Sequence, residues 1–421
     1  MKSADIEGCV ESLRDELLDL AQELVRRSSV TGDECVAQAF LDARWRDWGL
    51  AVDRWVPERQ EVTRHPAYCD DGLPVERPVL VGQWGEGAPG CPAALILNGH
   101  IDVVPAGDRR RWESDPFGGN VENGFLHGRG SCDMKGGLAA ASIAVRAVQK
   151  LGVSPQRPIL IQSVTGEETG GIGSLSAILR GYRADAAVII EPSCLAMSPV
   201  HSGALDFRCR VQGLPTHGAT RQAGVSAIEK AWPIWEALRK LEEERHRTFR
   251  HPLYDSSQLA APISIGKLSA GNWGSTVPEE AIAEGRFGVF PGESCAEARQ
   301  QFEGAVRKAC EQDEWLREHP AAVEWIGGQF EPGETALEAP ILEQLANAHR
   351  AITGSDTKLH GVPYGCDLRL FTRYAGVPTV VYGPGDVRLA HAFDERLPIE
   401  DLITATKVLA LLVCRACTER G

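Results

Sequence analysis

The sequence has no apolar stretch long enough to cross a membrane and no excess of positive charge. The chain of 421 residues contains 44 Lys and Arg against 58 Asp and Glu, which gives a formal net charge of -14. Nucleic acid and anionic membrane surfaces repel such a chain, so we expect neither as a partner. Residues 6–25 are acidic and amphipathic, unlike a signal peptide with its basic start and apolar core. We therefore expect a cytoplasmic protein.

The two cysteine pairs that a structural zinc site needs are also missing. The 12 cysteines are scattered, and several fall within predicted strands or helices, which is typical of reduced thiols in the cytoplasm. Cys414 and Cys417 form one CxxC at the end of a helical pattern, with no second pair to complete a zinc site. The sequence has no internal repeats, and its length predicts two domains.

Strand and helix patterns alternate along the first 199 residues. Buried strands are predicted at 93–97, 158–164 and 186–191, and helices at 6–25, 34–48, 136–151 and 173–179. Strands separated by helices predict an α/β fold with a mostly parallel sheet. Ligands of such sheets bind beyond the carboxyl ends of the strands, so a functional site is expected there.

The pattern changes near residue 200. Residues 205–211 alternate with period two, which predicts a half-exposed antiparallel strand. A helix, two strands and another helix follow up to residue 310, in the order of a small α+β unit. The α/β pattern then returns with a strand at 323–325, a helix at 340–353 and a strand at 379–382. We predict a catalytic domain formed by residues 1–199 and 319–421, with an inserted domain at 200–318.

His100 and Asp102 come at the end of the first predicted core strand. Two residues apart on an extended chain, their side chains point the same way. Histidine is the commonest protein metal ligand, and a nearby carboxylate is well placed to orient its ring. A single His-x-Asp is weak evidence, so its meaning depends on what the other strand ends contain.

Acids and a second histidine follow the other strands of the predicted sheet. They are Asp133, Glu167, Glu168, Glu191 and His391. Singly, each has a structural explanation, such as a helix N-cap for Asp133. Adjacent carboxylates on a glycine-flanked turn also suit metal chemistry, because one binds a cation while the other takes a proton from water whose pKa the cation lowers. Together with His100, these residues indicate a metal site.

The sequence around these residues closely resembles the M20 family of metallopeptidases and deacylases. The matching segments are GHIDVVPAGD, GRGSCDMKGG, TGEETGG, IIEPS, GLPTHGATRQAGVSAI, TVPEEAIAEGRFGVFPGE, GVPYGCDLRLF and YGPGDVRLAHAFDE. They cover most of the chain in the order and spacing of this family. Its members include acetylornithine deacetylase, succinyl-diaminopimelate desuccinylase, aminoacylases and bacterial carboxypeptidase G.

The resemblance implies a centre of two divalent metal ions, usually zinc. His100 and Glu191 would bind one ion. Glu168 and His391 would bind the other, with Asp133 bridging the two. The native metal stays open, since carboxylate-rich sites also take manganese or cobalt.

The resemblance also implies catalytic roles. Glu167 would serve as general base and then as general acid, and Asp102 would orient and polarise His100. His217, in the inserted domain, matches a histidine that stabilises the oxyanion and that reaches into the partner subunit's site in dimeric relatives. The inserted domain would therefore be both lid and dimer interface. We expect a homodimer and leave higher oligomers open.

Substrate recognition is the part that the resemblance determines least. Arg286 and Arg369 match family positions near the substrate, where an arginine fork suits a carboxylate. For Arg369, a structural ion pair with Asp367 is an equal alternative. Asn272 lies roughly where many relatives have a substrate-contacting asparagine, but the loop here places Trp273 in an uncommon pattern.

We therefore expect a hydrolase that cleaves an amide-type C–N bond of a small carboxylated molecule, with an N-acyl amino acid as the default substrate. The alternative is removal of ammonia or formate from an aromatic or heteroaromatic amine, since Trp273, Tyr364 and Phe371 offer rings for such a pocket. A third hypothesis is an inactive relative that only binds ligands. It is disfavoured because Glu167 and every ligand position are present.

Overall fold

The protein divides into two compact units. The computed structural model describes residues 2–70, 72–87, 92–255 and 257–418. The first unit comprises Met1–Pro199, Glu334–His360 and Cys366–Gly421, and the second comprises Val200–Gly333 and Gly361–Gly365. The inserted domain that we predicted for residues 200–318 lies within the second unit, which continues to Gly333.

Helices and strands alternate along most of the chain. The α-helices of the described residues are α1 (Ser3–Ser12), α2 (Arg14–Arg26), α3 (Cys35–Asp47), α4 (Arg59–Val62), α5 (Gly136–Lys150), α6 (Ile172–Leu179), α7 (Ala227–Thr248), α8 (Cys295–Glu311), α9 (Glu314–Glu318), α10 (Pro340–Thr353), α11 (Leu368–Leu370) and α12 (Ile399–Thr418). The strands of the same residues are β1 (Ala51–Trp55), β2 (Val79–Trp84), β3 (Leu95–His100), β4 (Asn120–Glu122), β5 (Phe125–His127), β6 (Ile159–Val164), β7 (Ala187–Ile189), β8 (Met197–His201), β9 (Gly203–Gln212), β10 (Ile263–Ala270), β11 (Glu280–Val289), β12 (Ala322–Phe330), β13 (Gly333–Glu334), β14 (Leu359–Val362), β15 (Thr379–Val381) and β16 (Arg396–Pro398).

The first unit is built around a sheet whose central strands are parallel. The strand order is β1-β2-β6-β3-β7-β15-β8-β13, with β14 paired to β8. Strand β3 runs parallel to both β6 and β7, and β15 runs parallel to β7. Strands β3 and β6 are buried along their whole length, as expected for apolar strands covered on both faces. The predicted α/β class with a mostly parallel central sheet is confirmed.

The largest apolar cluster packs helices against this sheet. It includes Leu138 and Ile143 of α5, Leu409 of α12 and Leu97 of β3. A Cβ at Gly137 would lie 2.3 Å from the carbonyl oxygen of Ile190, so only glycine lets the first turn of α5 approach the end of β7 this closely. No helix in the described part of the chain combines the length and the apolar character needed to cross a membrane.

The second unit is an antiparallel sheet with helices α7 and α8. Its strand order is β10-β11-β9-β12. Phe207 of β9 and Phe287 of β11 pack against Phe302 of α8, with ring centroids 4.6 and 5.1 Å apart. Ile234 of α7 belongs to the same buried cluster. The α+β order expected from the sequence is therefore realised as helices packed on one antiparallel sheet.

Strand β12 corrects one of our predictions. We assigned the strand at 323–325 to the returning α/β part, but β12 pairs antiparallel with β9, and Trp325 lies opposite Phe207. The indole of Trp325 also packs against Phe302, with ring centroids 5.3 Å apart. The strand thus completes the core of the second unit. A short apolar pattern predicts a strand but not the sheet that the strand joins.

Candidate metal centre

Histidine and carboxylate side chains gather at the carboxyl ends of the parallel strands. His100 is the last residue of β3, Glu167 and Glu168 follow β6, and Glu191 follows β7. Since β6, β3 and β7 are neighbours and parallel, their carboxyl ends meet at one edge of the sheet. Two further residues join this group, Asp133 from the segment before α5 and His391 from the loop after β15.

His100 lies between two carboxylates. Its Nε2 is 3.0 Å from Oδ1 of Asp133 and 3.5 Å from Oε1 of Glu191. Its Nδ1 is 2.8 Å from the backbone carbonyl oxygen of Asp102, which only accepts, so Nδ1 donates this hydrogen bond. Burial alone would lower the pKa of His100, but Glu191 and Asp133 raise that pKa well above its usual value. The ring is thus oriented with Nε2 toward the acids, as in a metal-binding histidine.

Asp133 lies between the two histidines. While Oδ1 contacts His100, its Oδ2 is 3.5 Å from Nε2 of His391. The same Nε2 of His391 is 3.0 Å from Oε2 of Glu168. The hydrogen bond to Glu168 raises the pKa of His391 to about 9. One carboxylate oxygen toward each histidine is the placement expected of a ligand shared by two ions.

The donor set fits divalent cations. Ligand atoms of His100, Asp133 and Glu168 lie within 4.8 Å of one another, and so do those of His100, Glu167 and Glu191. Burial, and then the repulsion of Asp133, raises the pKa of both Glu168 and Glu191. Such crowding of buried acids is relieved by cations, and a mixture of imidazole and carboxylate suits zinc, manganese or cobalt.

Glu167 differs from its neighbours in having an open acceptor. Its Oε1 is buried and has no hydrogen-bond partner among residues 2–70, 72–87, 92–255 and 257–418. Burial raises the pKa of Glu167 well above its usual value, and the charges of Glu191 and Asp367 raise it further. A carboxylate with an open acceptor oxygen and a raised pKa is suited to accept a proton and return it. The geometry also places Glu167 within ligand distance of the centre.

Asp102 makes contacts in the centre beyond the one to His100 that we predicted. Its carboxylate accepts backbone N–H groups of Glu167 and Glu168, at 3.2 and 3.3 Å, and the hydroxyl of Thr31 at 3.1 Å. The nearer carboxylate oxygen is 3.8 Å from Nδ1 of His100, so the backbone carbonyl makes the orienting contact instead. Asp102 therefore fixes the turn that presents the acid pair.

Comparison with known proteins identifies the family. Residues 96–415 match the model of "Peptidase family M20/M25/M40". The chain belongs to this family.

Relatives in this family match nearly the whole chain. An N-formyl-4-amino-5-aminomethyl-2-methylpyrimidine deformylase of Halalkalibacterium halodurans is 29% identical over 432 residues, covering 98% of this chain and 96% of its own. A succinyl-diaminopimelate desuccinylase of Stenotrophomonas maltophilia is 33% identical over 412 residues, covering 92% and 95%. The fold matches the dipeptidase Dug1p of Saccharomyces cerevisiae with a TM-score of 0.79, at 14% identity, covering 100% and 99% of the two chains.

One family member of known structure is described as a dinuclear metal-binding peptidase, the YXEP protein of Bacillus subtilis. It matches this chain with a TM-score of 0.61 at 16% identity, covering 97% of this chain and 99% of its own. The sequence-based recognition of the M20 family, and with it of a hydrolase, is confirmed.

Glu395 is a residue of the centre that our sequence analysis missed. Its Oε1 accepts the backbone N–H groups of Cys132 and Asp133 at 2.9 and 3.1 Å. Its Oε2 accepts Nη1 of Arg129 at 2.6 Å, and all of these atoms are buried or nearly so. The only sequence signal was that this acid lies four residues after His391, since nothing local indicates its distant partners.

The predicted substrate residue Arg369 lies in the first unit and is fully buried. Its Nη2 donates to the carbonyl oxygen of Gly170 at 2.8 Å, within the glycine-rich turn that follows the acid pair. The neighbouring charge of Asp367 is also buried. Both readings of Arg369, as a substrate residue and as the partner of Asp367 in a structural ion pair, stay predictions.

The other predicted residues belong to the second unit. His217 is exposed, and its Nδ1 accepts the backbone N–H of Ala219 at 3.1 Å. Arg286 donates to the carbonyl oxygen of Pro363 at 2.8 Å. Asn272 is exposed and donates to Oε1 of Glu279 at 2.7 Å. Their roles in catalysis and substrate binding stay predictions.

Proposed function

We propose that this protein is a two-metal hydrolase that removes a short acyl group from a nitrogen atom of a small molecule. The observation behind this proposal is the group of buried acids around His100, with Asp133 between the two histidines. His100 and Glu191 would hold one divalent ion, Glu168 and His391 the other, and Asp133 both. Two bound metal ions would polarise the substrate carbonyl and lower the pKa of a water molecule.

Glu167 would move the proton. Its open Oε1 takes a proton from the attacking water as the new C–O bond forms. The same oxygen then delivers this proton to the substrate nitrogen as the C–N bond breaks, so that a carboxylic acid and an amine are released. Asp102 and Arg369 would hold the turn of Glu167 in place through its backbone N–H and carbonyl groups.

Two substrate classes compete for this chemistry. The relatives that cover 98% of the chain are named for a formyl group on an aminopyrimidine, which supports a formamide of a heteroaromatic amine. Relatives named as a desuccinylase and a deacetylase support an N-acyl amino acid instead. We favour the formamide, because these two matches extend over more of the chain.

A turnover screen tests the proposal. The metal-loaded protein is incubated with formamides of aminopyrimidines, N-formyl, N-acetyl and N-succinyl amino acids, dipeptides and aromatic amines, and the products are identified by mass spectrometry. We expect release of formate and an amine, and none after chelation. Release of a longer acid from N-acyl amino acids alone would replace the formamide by the second class. No turnover of any compound by a protein with both ions bound would favour the inactive relative.

We also propose that the second unit forms a homodimer interface. Strand β10 lies at the edge of its sheet, and its residues Ile265 and Leu268 are 39% and 59% exposed. Helix α7 of the same unit exposes Trp232 and Ile228. An exposed apolar edge strand favours pairing with another chain. Light scattering checks the mass, and we expect a Leu268→Lys variant to be monomeric.

A shared site would follow from such a dimer. If His217 serves the partner subunit, mixing His217→Ala subunits with Glu167→Ala subunits restores activity in the heterodimer. Heterodimers without activity would assign His217 to its own chain or to no site.

A further inference from the structure

We propose that Glu395 is a positioning residue that assembles both metal positions together. This inference rests on the proposed function and assigns a task to an acid that is neither a metal ligand nor a proton carrier there. Glu395 comes four residues after His391, yet its side chain contacts the loop that contains Asp133. It therefore links the segment of one ligand to the segment of another.

The contacts of Glu395 determine the course of the Asp133 loop. One carboxylate oxygen accepts two consecutive backbone N–H groups, those of Cys132 and Asp133. These two groups lie in a stretch where the backbone departs from helical geometry at Asp133 and Met134, so the side chain of Glu395 helps to fix its course. Without this acceptor the two N–H groups would be buried and unsatisfied, which is costly enough to displace the loop.

The second oxygen of Glu395 is held in turn. It accepts Nη1 of Arg129, whose guanidinium lies 5.2 Å over the ring of Trp112. The backbone of Glu395 is fixed as well, because its carbonyl accepts the N–H of Gly128 at 2.9 Å. The next residue, Arg396, begins β16 and pairs with His127 of β5. These contacts hold the carboxylate of Glu395 in one position, independently of the loop that contains Asp133.

The consequence concerns both ions. Asp133 faces His100 with one oxygen and His391 with the other, so a displaced Asp133 weakens both positions. Groups that hold metal ligands typically contribute 10- to 100-fold to metal affinity. We expect loss of the Glu395 acceptor to lower affinity for both ions by roughly that factor, whereas loss of a ligand to a single ion would empty one position.

The test removes the charges of Glu395 and Arg129 together, so that neither remains buried without its partner. Arg129→Met removes the cation, and this background is combined with Glu395→Gln, which keeps one acceptor for the backbone N–H groups, or with Glu395→Met, which keeps the shape and no acceptor oxygen. Glu400→Gln is the control, since Glu400 is 81% exposed and pairs with Arg14 on the surface. Each metal-free protein is titrated with Co²⁺ and with Zn²⁺, with calorimetry and the visible spectrum of Co²⁺ as readouts.

We expect the Glu395→Met combination to bind both ions about 10- to 100-fold more weakly and to alter the Co²⁺ spectrum. The Glu395→Gln combination is expected to recover much of the affinity, and the control to match the wild type. Wild-type affinities and an unchanged spectrum in the Glu395→Met combination would overturn the role of Glu395 and leave the proposed function standing. A wild-type protein that binds no ion would overturn the proposed function together with this inference. Thermal melts identify a purely structural effect of the substitutions, because such an effect lowers the melting temperature and leaves the Co²⁺ spectrum unchanged.

Discussion

The carboxylate of Asp102 accepts the backbone N–H of Glu167 at 3.2 Å, although the two residues are 65 positions apart. Its other oxygen accepts the N–H of Glu168, and its backbone carbonyl accepts Nδ1 of His100. Asp102 thus touches the end of β3 and the turn after β6 at the same time. Gly166, with φ of +67°, allows the sharp turn that brings both N–H groups to one carboxylate.

Asp102→Asn is expected to disturb the turn while leaving His100 in place. The amide has one acceptor oxygen, so one of the two backbone N–H groups loses its partner, while the backbone carbonyl that holds His100 is retained. We expect the metal-free protein to lose about 1–3 kcal/mol of unfolding free energy, measured in urea. We also expect kcat to fall by roughly 10- to 100-fold, in the range seen when groups behind metal ligands are changed. Thr31→Val, which removes only the hydroxyl donor, is the control. An Asp102→Asn protein with wild-type stability and kcat would contradict this role.

Glu167→Gln is expected to abolish turnover while both ions stay bound. The amide keeps the size of the side chain but cannot take a proton, and proton transfer by a positioned group contributes about 10²- to 10⁴-fold. Elemental analysis of the purified variant and kcat of the metal-loaded form are the measurements. Since Glu167 lies within ligand distance of His100 and Glu191, loss of an ion would instead identify it as a ligand.

The gathering of the site residues was predictable, because the carboxyl ends of parallel strands meet at one edge. His100 ends a strand of the central sheet, and Glu168 and Glu191 each follow one. A pattern of apolar runs that end in a histidine or in acids contains this information. The supporting contacts were not predictable in the same way. Arg129 and Glu395 are 266 positions apart, and their pairing depends on how β5 meets β16. No local pattern around either residue indicates the other.

The fold shows the same division between local and tertiary information. The sequence pattern predicted the strand at 323–325, yet its partner β9 lies in the other unit from the one we assigned. For Asp102, the sequence indicated its proximity to His100 but not the hydrogen bonds of its carboxylate. The partners of its carboxylate belong to a turn that no nearby residue reveals.

Glu168→Ala is expected to remove one ion and leave the other. Glu168 contacts His391, whereas Glu191 contacts His100, so the two acids belong to different ends of the bridge that Asp133 forms. We expect about one ion per chain in Glu168→Ala, in His391→Ala and in Glu191→Ala, measured by elemental analysis after dialysis. The double variant Glu168→Ala/His391→Ala should still bind one ion per chain. The double variant Glu168→Ala/Glu191→Ala should bind neither ion. Two ions retained in Glu168→Ala would contradict its assignment.

The metal-free protein is expected to lose stability as the pH rises above about 4.3, the ordinary pKa of a glutamate side chain. Burial raises the pKa of Glu167 and Glu191, and neighbouring acids raise it further. The folded state therefore binds more protons than the unfolded state at these groups. Each extra proton lowers the unfolding free energy by about 1.4 kcal/mol per pH unit in this pH range. Burial lowers the pKa of His349 and His360, which acts in the opposite direction.

A variant isolates the contribution of the centre from these histidines. Glu191→Gln removes one titrating acid and weakens the repulsion on Glu167, so its unfolding free energy in chelator should depend less steeply on pH than that of the wild type. The exposed Glu400→Gln serves as control. Because metal binding displaces protons from these same groups, the stabilisation by added Zn²⁺ should increase with pH in the wild type. Equal slopes for wild type and Glu191→Gln would mean that Glu191 is already ionised in the metal-free fold, and the crowding of acids would then not be what favours the cations.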